Sequence, residues 1–267
     1  MITSLHSPHV EAVKALLGSR GVKERRERSL FVIEGAQNLR SAVAASRKTI
    51  KTVYLTGEGR SRIADVDLTG LDVHDVSTQV MAAMTDTVTP QGILALAQID
   101  SFDFASWLAH EDRNLKIAYF WQLQDPGNAG TVIRAADAFG FDAILFSDQS
   151  VDIHSPKVVR SSAGSLWHIP IFEEIQWNAL LTLAKEKQLT PLALTAHGDK
   201  ELARSVSESR SRSTIWIFGN EARGLPDEIS RDPSVIRVAI PMSGAAESLN
   251  LATAASVVMY AVAEGEK

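Results

Sequence analysis

LKIAYFWQLQDPGNAGTVIRAADAFGFDAILFS, residues 115–147, contains two apolar runs separated by a polar loop and a helical pattern. The runs at 115–121 and 142–147 are short and almost wholly apolar, which predicts buried strands. The apolar spacing of 129–139 predicts a helix between them. Because a connecting helix returns the chain to the same edge of a sheet, the two strands run parallel.

The same alternation continues to the end of the chain. Further strands are predicted at 191–195, 214–218 and 235–240, and further helices at 177–187 and 248–263. Strands that are apolar throughout must be covered on both faces, so the sequence predicts an α/β fold, a parallel sheet with helices on both faces. The last helix is almost wholly small or apolar, and we expect it to be buried all round, in the core or at a subunit contact.

A smaller α/β domain is predicted over residues 1–100. Its strands are expected at 30–34, 51–56, 71–76 and 92–98, with a helix at 36–46. The stretch 101–112 ends in a charged cluster and is predicted to be a linker, which leaves 113–267 as the larger domain.

Composition excludes several classes of protein. The chain has 267 residues, a net charge of −5 and no cysteine, so a disulfide framework, a thiolate nucleophile and a cysteine-ligated metal are excluded. The seven histidines show no metal-ligand spacing, so no metal site is expected. There is no apolar run long enough to span a bilayer and no secretory signal pattern, so a cytoplasmic protein without membrane contact is expected.

Three loops follow strands of the larger predicted sheet and carry polar residues among glycines. They are QLQDPGN (122–128), GNEARGLPDE (219–228) and PMSGAAESLN (241–250). In parallel sheets ligands bind at the carboxyl ends of the strands, so these loops are the candidate site. Plainer interpretations remain: Asn128 as the N-cap of a helix from Ala129, Arg134 paired with Asp137, and Ser248 as an N-cap.

Together the three segments resemble the motifs of the SpoU (TrmH) family of S-adenosylmethionine-dependent RNA ribose 2′-O-methyltransferases, which belongs to the SPOUT superfamily. The resemblance covers residues 113–263, on QDPGNAGTVIRAADAFG, FGNEARGLPDE and IPMSGAAESLNLATAASVV. Residues 1–100 resemble the family's small N-terminal RNA substrate-binding domain. The resemblance implies a C-terminal trefoil knot, a homodimer, and an RNA substrate that is ribosomal RNA in preference to tRNA.

The resemblance also implies roles for individual residues. The catalytic residues would be Arg134, Asn128, Glu221, Ser248 and Asn250. S-adenosyl-L-methionine would be bound at Thr195, Gly219, Asn220, Ile240, Met242 and Leu249. Lys157 and Arg160 would contact RNA, and Arg25, Arg26 and Arg28 form a basic patch that either contacts phosphate or is a solvated helix face.

The family assigns a general-base role to the arginine at position 134, but a guanidinium with a pKa above about 12 is a poor base. We therefore expect Arg134 to hold the ribose and the adjacent phosphate through forked hydrogen bonds, with the proton leaving to phosphate, Glu221 or water.

Three other functional classes are less consistent with the sequence. A tRNA ribose methyltransferase and a non-catalytic RNA-binding module are the alternatives, but the complete set of five candidate catalytic residues favours an enzyme. A dinucleotide-dependent oxidoreductase is disfavoured, because no GxGxxG loop follows a strand.

Overall fold

The computed structural model describes residues 1–18, 21–100 and 102–265. Its α-helices are α1 (Pro8–Ala15), α2 (Gly21–Arg28), α3 (Ala36–Ser46), α4 (Gly57–Arg62), α5 (Thr78–Ala83), α6 (Phe104–Ala109), α7 (Pro126–Ala138), α8 (Pro156–Ser162), α9 (Trp177–Glu186), α10 (Leu202–Ser209), α11 (Asp227–Ser230) and α12 (Leu251–Gly265). Its strands are β1 (Leu30–Glu34), β2 (Ile50–Leu55), β3 (Val73–Asp75), β4 (Ile93–Gln98), β5 (Lys116–Phe120), β6 (Ala143–Phe146), β7 (Ile171–Phe172), β8 (Thr190–Leu194), β9 (Lys200–Glu201), β10 (Thr214–Phe218) and β11 (Ile236–Ala239). Two short 3₁₀ turns lie at Arg47–Thr49 and Ser165–Trp167.

The chain forms two compact units, which we call the N-terminal unit and the sheet unit. The N-terminal unit consists of Met1–Ser101 and Asp152–His168, and the sheet unit of Phe102–Val151 and Ile169–Lys267. This division differs from the predicted domains at two places. The predicted linker contains α6, whose Phe104 and Leu108 are buried in the sheet unit's core. Residues 152–168 belong to the N-terminal unit, although they lie within the predicted larger domain.

The sheet unit confirms the predicted parallel sheet. Its seven strands lie in the order β7-β6-β5-β10-β8-β11-β9, and every neighbouring pair is parallel. In the central strand β10, Ile215 and Ile217 join a core cluster that includes Trp177 of α9. The alternate residues Trp216 and Phe218 are equally buried, so both faces of the sheet are covered.

The N-terminal unit has a four-stranded sheet in the order β1-β4-β2-β3, antiparallel except between β2 and β3. Each face carries its own apolar cluster, one around Phe31 and Ile33, the other around Val32 and Leu94. Val159 of α8 is fully buried in the first cluster. The segment 152–168 thus completes this core, which explains why it groups with the N-terminal unit.

Arg25 is not a surface RNA contact, which corrects the sequence interpretation of the basic patch. Its side chain is 2% exposed. The guanidinium lies 2.6 Å from Asp152 and also donates to the carbonyl of Leu16. A buried cation needs such partners, because an unpaired charge in the interior is costly.

The last helix begins three residues after its predicted start, and of the two predicted settings, the core and a subunit contact, the core covers only part of it. It begins at Leu251 and packs against α7 and α10, but Val257 is 38% exposed and Tyr260 is 54% exposed. These two residues are three apart, so they lie on one helical face. The helix is therefore apolar on its outer side as well as its inner side, and it is not buried all round within the chain.

No helix in the described part of the chain has the length and apolar character needed to cross a bilayer.

Candidate active site

The loops after β5 and β10 meet at the carboxyl edge of the sheet, because these two strands are neighbours in register. Phe120 pairs with Phe218 at the ends of the strands, and the Trp121 amide donates to the Phe218 carbonyl. The loop after β11 reaches the same place through its last residue, Asn250, whose Nδ2 lies 3.4 Å from Oδ1 of Asn128.

Glu221 joins the loop after β10 to the start of α7. Its carboxylate accepts from the amides of Gln124 (3.5 Å) and Asp125 (3.3 Å) and from Nδ2 of Asn128 (3.2 Å). The N-terminus of a helix carries free amides and a partial positive charge, which favour a carboxylate there. Both oxygens of Glu221 are therefore engaged with the helix start.

Asn128 is at the centre of the site, but it is not the N-cap. Helix α7 begins at Pro126, and Asp125 is its N-cap, accepting from the Asn128 amide at 2.8 Å. This corrects the predicted helix start at Ala129. With its backbone amide satisfied by Asp125, the side chain of Asn128 lies between Glu221 and Asn250, and its Oδ1 is 3.4 Å from Nδ2 of Asn250.

Asn250 fixes the start of α12 while it contacts Asn128. Its Oδ1 accepts from the amides of Ala252 (2.9 Å) and Thr253 (3.3 Å), as a capping side chain does. The side-chain oxygen of Asn250 therefore orders the helix, and the side-chain nitrogen faces the site. Ser248 lies two residues earlier in an exposed, irregular segment, so the N-cap interpretation of Ser248 is wrong.

Arg134 lies on α7, about 1.7 turns after Asn128, and its side chain is exposed. Among the described residues its guanidinium has no hydrogen-bond or ion-pair partner, so the plain interpretation of a pair with Asp137 is not observed. The structure thus brings Asn128, Glu221 and Asn250 into one chain of contacts and leaves Arg134 on the same helix with all its donors available.

The turn after β10 is built tightly. Asn220 and Gly224 exchange both backbone hydrogen bonds at 2.9 Å. Asn220 is 8% exposed and its side chain donates to the Gln122 carbonyl at 2.7 Å, so it stabilises the turn. At Gly219 a Cβ atom would lie 2.5 Å from the carbonyl carbon of Gly224, so only glycine fits there.

The residues predicted to hold S-adenosylmethionine frame an edge that fits such a group. The hydroxyl of Thr195 is buried with no hydrogen-bond partner among the described residues, and it follows β8 directly. Gly198 lies so close to β11 that a Cβ would be 2.4 Å from the Ala239 amide nitrogen. A buried hydroxyl without a partner can hydrogen-bond a polar ligand, and the close approach at Gly198 brings the backbone of its loop against β11 at this edge.

The remaining cofactor candidates lie in the loop after β11. Ile240 is half-buried, whereas Met242 is 41% exposed and Leu249 is 36% exposed. Next to this loop Arg237 donates to Asp199, and that hydrogen bond lowers the pKa of the Asp199 carboxyl. Because Met242 and Leu249 are exposed, their apolar side chains are available to a ligand or to a second chain.

Gln122 is a site residue that the sequence did not reveal. It adopts the left-handed conformation at φ 46°, which is uncommon for a residue with a side chain. Its backbone amide donates to Oγ of Ser147 at 2.8 Å, and its side-chain Oε1 accepts from Nη2 of Arg223 at 3.1 Å. A glutamine after a strand carries no signal of positive φ, so only the structure shows this role.

The other predicted RNA contacts lie in the N-terminal unit. Arg26 and Lys157 are exposed, and Arg28 pairs with Glu24 on the same helix. Arg160 is committed to two carboxylates, at 3.0 Å from Glu34 and 2.6 Å from Asp86.

Comparisons with known proteins agree with this arrangement. The model of the SpoU rRNA Methylase family matches residues 116–260, and that of the MRM3-like substrate binding domain matches residues 8–95. An uncharacterized tRNA/rRNA methyltransferase of Synechocystis is 33% identical over 97% of this chain and 92% of that protein. The 23S rRNA (guanosine(2553)-2′-O)-methyltransferase RlmP of Bacillus subtilis is 31% identical over 89% of this chain and 90% of its own length.

A solved structure is similar over almost the whole chain. It is the AdoMet-bound rRNA methyltransferase from Sinorhizobium meliloti, with a TM-score of 0.82, 26% identity, and coverage of 98% of this chain and 96% of that one. The family match includes all five candidate catalytic residues, and the resemblance drawn from the three loops is confirmed. The chain belongs to the SpoU rRNA Methylase family.

Proposed function

We propose that this protein transfers a methyl group from S-adenosylmethionine to a ribose 2′-hydroxyl of structured RNA, in particular ribosomal RNA. The observation that carries the proposal is the contact chain from Asn250 through Asn128 to Glu221, on a helix that also bears the exposed Arg134. The B. subtilis relative is named for ribose methylation of 23S rRNA, and the S. meliloti structure is of an rRNA methyltransferase with AdoMet bound.

When bound, S-adenosylmethionine would supply an electrophilic methyl group on its sulfonium, and the ribose 2′-oxygen would be the acceptor. The protein's main contribution is alignment, because positioning two reactants can lower a barrier by about 7–11 kcal/mol. Thr195, Gly219 and Ile240 would hold the donor through a hydroxyl and close backbone, with Met242 and Leu249 covering its apolar parts. Asn220 would act indirectly, since its side chain is used within the turn.

Arg134 would hold the ribose and its phosphate. A guanidinium stays charged at neutral pH and offers a fork of N–H donors that fits phosphate oxygens. Glu221 is a positioning residue in this scheme, because its two oxygens already accept three hydrogen bonds from the start of α7. The 2′-hydroxyl proton would then leave to phosphate or water, and Ser248 and Asn250 would complete the ribose pocket.

The RNA class is tested by mapping ribose methylation in cells with and without the gene. The proposal expects one 2′-O-methyl mark to disappear from ribosomal RNA when the gene is deleted, and to return with a plasmid copy. A plasmid that carries the Asn128→Ala variant should fail to restore it. A mark lost from tRNA would select the alternative substrate, and unchanged marks in both RNAs would contradict the proposed activity.

A homodimer is part of the same proposal. Tyr260 and Val257 form an exposed apolar face on α12. The ring of Phe139 on α7 packs edge-on against the ring of Tyr260, with 5.7 Å between the ring centroids. Apolar residues on one face of a helix suit a self-complementary contact with a second copy. Arg134 lies on α7, the helix that α12 packs against, so a dimer made here would border the site. The trefoil knot, which the family resemblance implies, and the cytoplasmic location, which was expected from the sequence pattern, are further proposals.

We expect the Val257→Asp/Tyr260→Asp variant to be monomeric, because two carboxylates on this face would have to be buried at the contact. Sedimentation velocity at micromolar concentration should give twice the chain mass for the wild type and the single-chain mass for the variant. Val88→Asp is the matched control, since Val88 is 96% exposed in the N-terminal unit, and it should leave the dimer intact. A monomeric wild type would contradict the dimer.

A further inference from the structure

Arg223 lies two residues after Glu221 in the turn that follows the central strand β10. The backbone at this point is fixed by a buried side chain, because Oδ1 of Asn220 accepts from the amides of Ala222 (3.0 Å) and Arg223 (3.1 Å). Gly224 continues the turn in the left-handed conformation at φ 64°. The backbone of Arg223, and with it the position of its Cβ, is therefore fixed beside the candidate site.

The guanidinium end is also held, but by a neutral group. Its Nη2 donates to Oε1 of Gln122 at 3.1 Å, and among the described residues it has no carboxylate partner. Gln122 is itself anchored, since its carbonyl accepts from Asn220 at 2.7 Å and its amide donates to Ser147 at 2.8 Å. The positive φ of Gln122 is a conformation that surrounding contacts must maintain, as is common at functional sites.

The arginines of the sheet unit fall into two groups. Arg134, Arg210 and Arg212, like Arg223, have no carboxylate partner among the described residues, but Arg223 differs from them because Gln122 holds its guanidinium. Four pair with carboxylates at 2.6–3.2 Å, namely Arg113, Arg204, Arg231 and Arg237. Arg223 keeps its full positive charge unneutralised, at the edge where Asn128, Glu221 and Asn250 meet. A preorganised, uncompensated guanidinium on a chain of net charge −5 is a specific feature, because it favours an anion at one point of a surface that repels anions overall.

We propose that Arg223 binds a phosphate of the RNA backbone next to the nucleotide that is methylated. The proposal rests on the proposed RNA methyl transfer. Arg223 offers the donors left free by Gln122 to two phosphate oxygens, which matches the fork geometry of a guanidinium. Gln122 is the positioning residue that aims it. Arg134 and Arg223 then approach the substrate from α7 and from the turn after β10.

The test compares Arg223→Gln with Arg231→Gln, which removes the same charge from an exposed arginine paired with Asp227. Binding to unmodified 23S rRNA and to a pool of tRNA transcripts is measured by filter retention over a range of salt concentrations. Donor binding is measured by calorimetry with S-adenosylmethionine, and methyl transfer by incorporation of labelled methyl groups.

We expect Arg223→Gln to weaken RNA binding by about tenfold or more, because a charge-assisted contact is lost. The slope of log affinity against log salt should fall in magnitude by about 0.7, the value for one single-strand phosphate. Donor affinity and the Arg231→Gln control should match the wild type. Arg223→Lys should restore the salt slope while recovering only part of the affinity, because the charge returns without the fork.

Two results would overturn the proposal. An unchanged RNA affinity and salt slope would show that Arg223 contacts no phosphate, and weakened donor binding with normal RNA binding would assign it to the carboxylate of S-adenosylmethionine. Failure of the wild type to methylate either RNA would refute the proposed function instead, and the salt slopes would still decide the role of Arg223.

Discussion

Replacing Arg134 with alanine is expected to lower the rate of methyl transfer by about 10²- to 10³-fold, the usual cost of removing one preorganised donor from a reacting centre. The side chain is exposed and makes no hydrogen bond or ion pair with other described residues, so its loss removes no observed contact that stabilises the fold. Single-turnover rates with labelled S-adenosylmethionine measure the effect. The thermal midpoint should stay within about 1 °C of the wild type, since such surface changes have small effects.

Arg134→Lys separates charge from geometry. The lysine keeps one positive charge but loses the planar fork, so most of the rate should still be lost if forked hydrogen bonds hold the ribose and phosphate. Arg204→Ala is the control, because Arg204 is an exposed arginine whose partner is Glu208 on α10. A lysine variant with nearly the full rate would contradict the assigned role of Arg134.

Replacing Arg25 with methionine is expected to destabilise the protein by about 3–5 kcal/mol, the cost of breaking a buried ion pair by removing one partner. The Asp152 carboxylate would lose its cationic partner to an apolar side chain, and the Leu16 carbonyl would lose its donor. The change should appear as a lower urea midpoint for loss of circular dichroism, with the free energy of unfolding taken by linear extrapolation.

Two companion variants test the cause of that loss. Arg28→Met removes a half-exposed arginine paired with Glu24 on the same helix, and it should cost less than about 1 kcal/mol. Adding Asp152→Asn to Arg25→Met should recover part of the stability, because the stranded carboxylate is removed. A wild-type midpoint for Arg25→Met would show that the pair contributes nothing to stability.

The parallel sheet could be predicted because its strands are long enough and apolar enough to show their pattern. Strands β5, β6, β10 and β11 lie within predicted runs, and β8 begins one residue before its predicted run. The two-residue strands β7 and β9 were missed, because two residues carry no periodicity. At α7 the better cue was Asp125 followed by Pro126, since proline is favoured at the first helical position and aspartate directly before it is a strong N-cap.

Long-range partners could not be predicted from sequence. Helix α2 reads GVKERRER, and nothing in that run distinguishes the arginine whose partner is 127 residues away. For the same reason the sequence did not predict that 152–168 belongs to the N-terminal unit, although it did indicate Lys157 and Arg160 as candidate RNA contacts. The convergence of Asn128, Glu221 and Asn250 was predictable, because strand order in α/β proteins brings loops to one edge. The left-handed conformation of Gln122 and its hydrogen bond to Arg223 could not be predicted from the sequence.

The central claim is that this edge of the sheet brings a methyl donor and a ribose hydroxyl together. The most direct measurement is incubation of purified protein with unmodified 23S rRNA and labelled S-adenosylmethionine, followed by complete nuclease digestion and mass spectrometry of the nucleosides. The account predicts label in a single 2′-O-methylated nucleoside, absent when Asn128 is replaced by alanine. Label on a base, or equal ribose labelling by the Asn128→Ala variant, would contradict it.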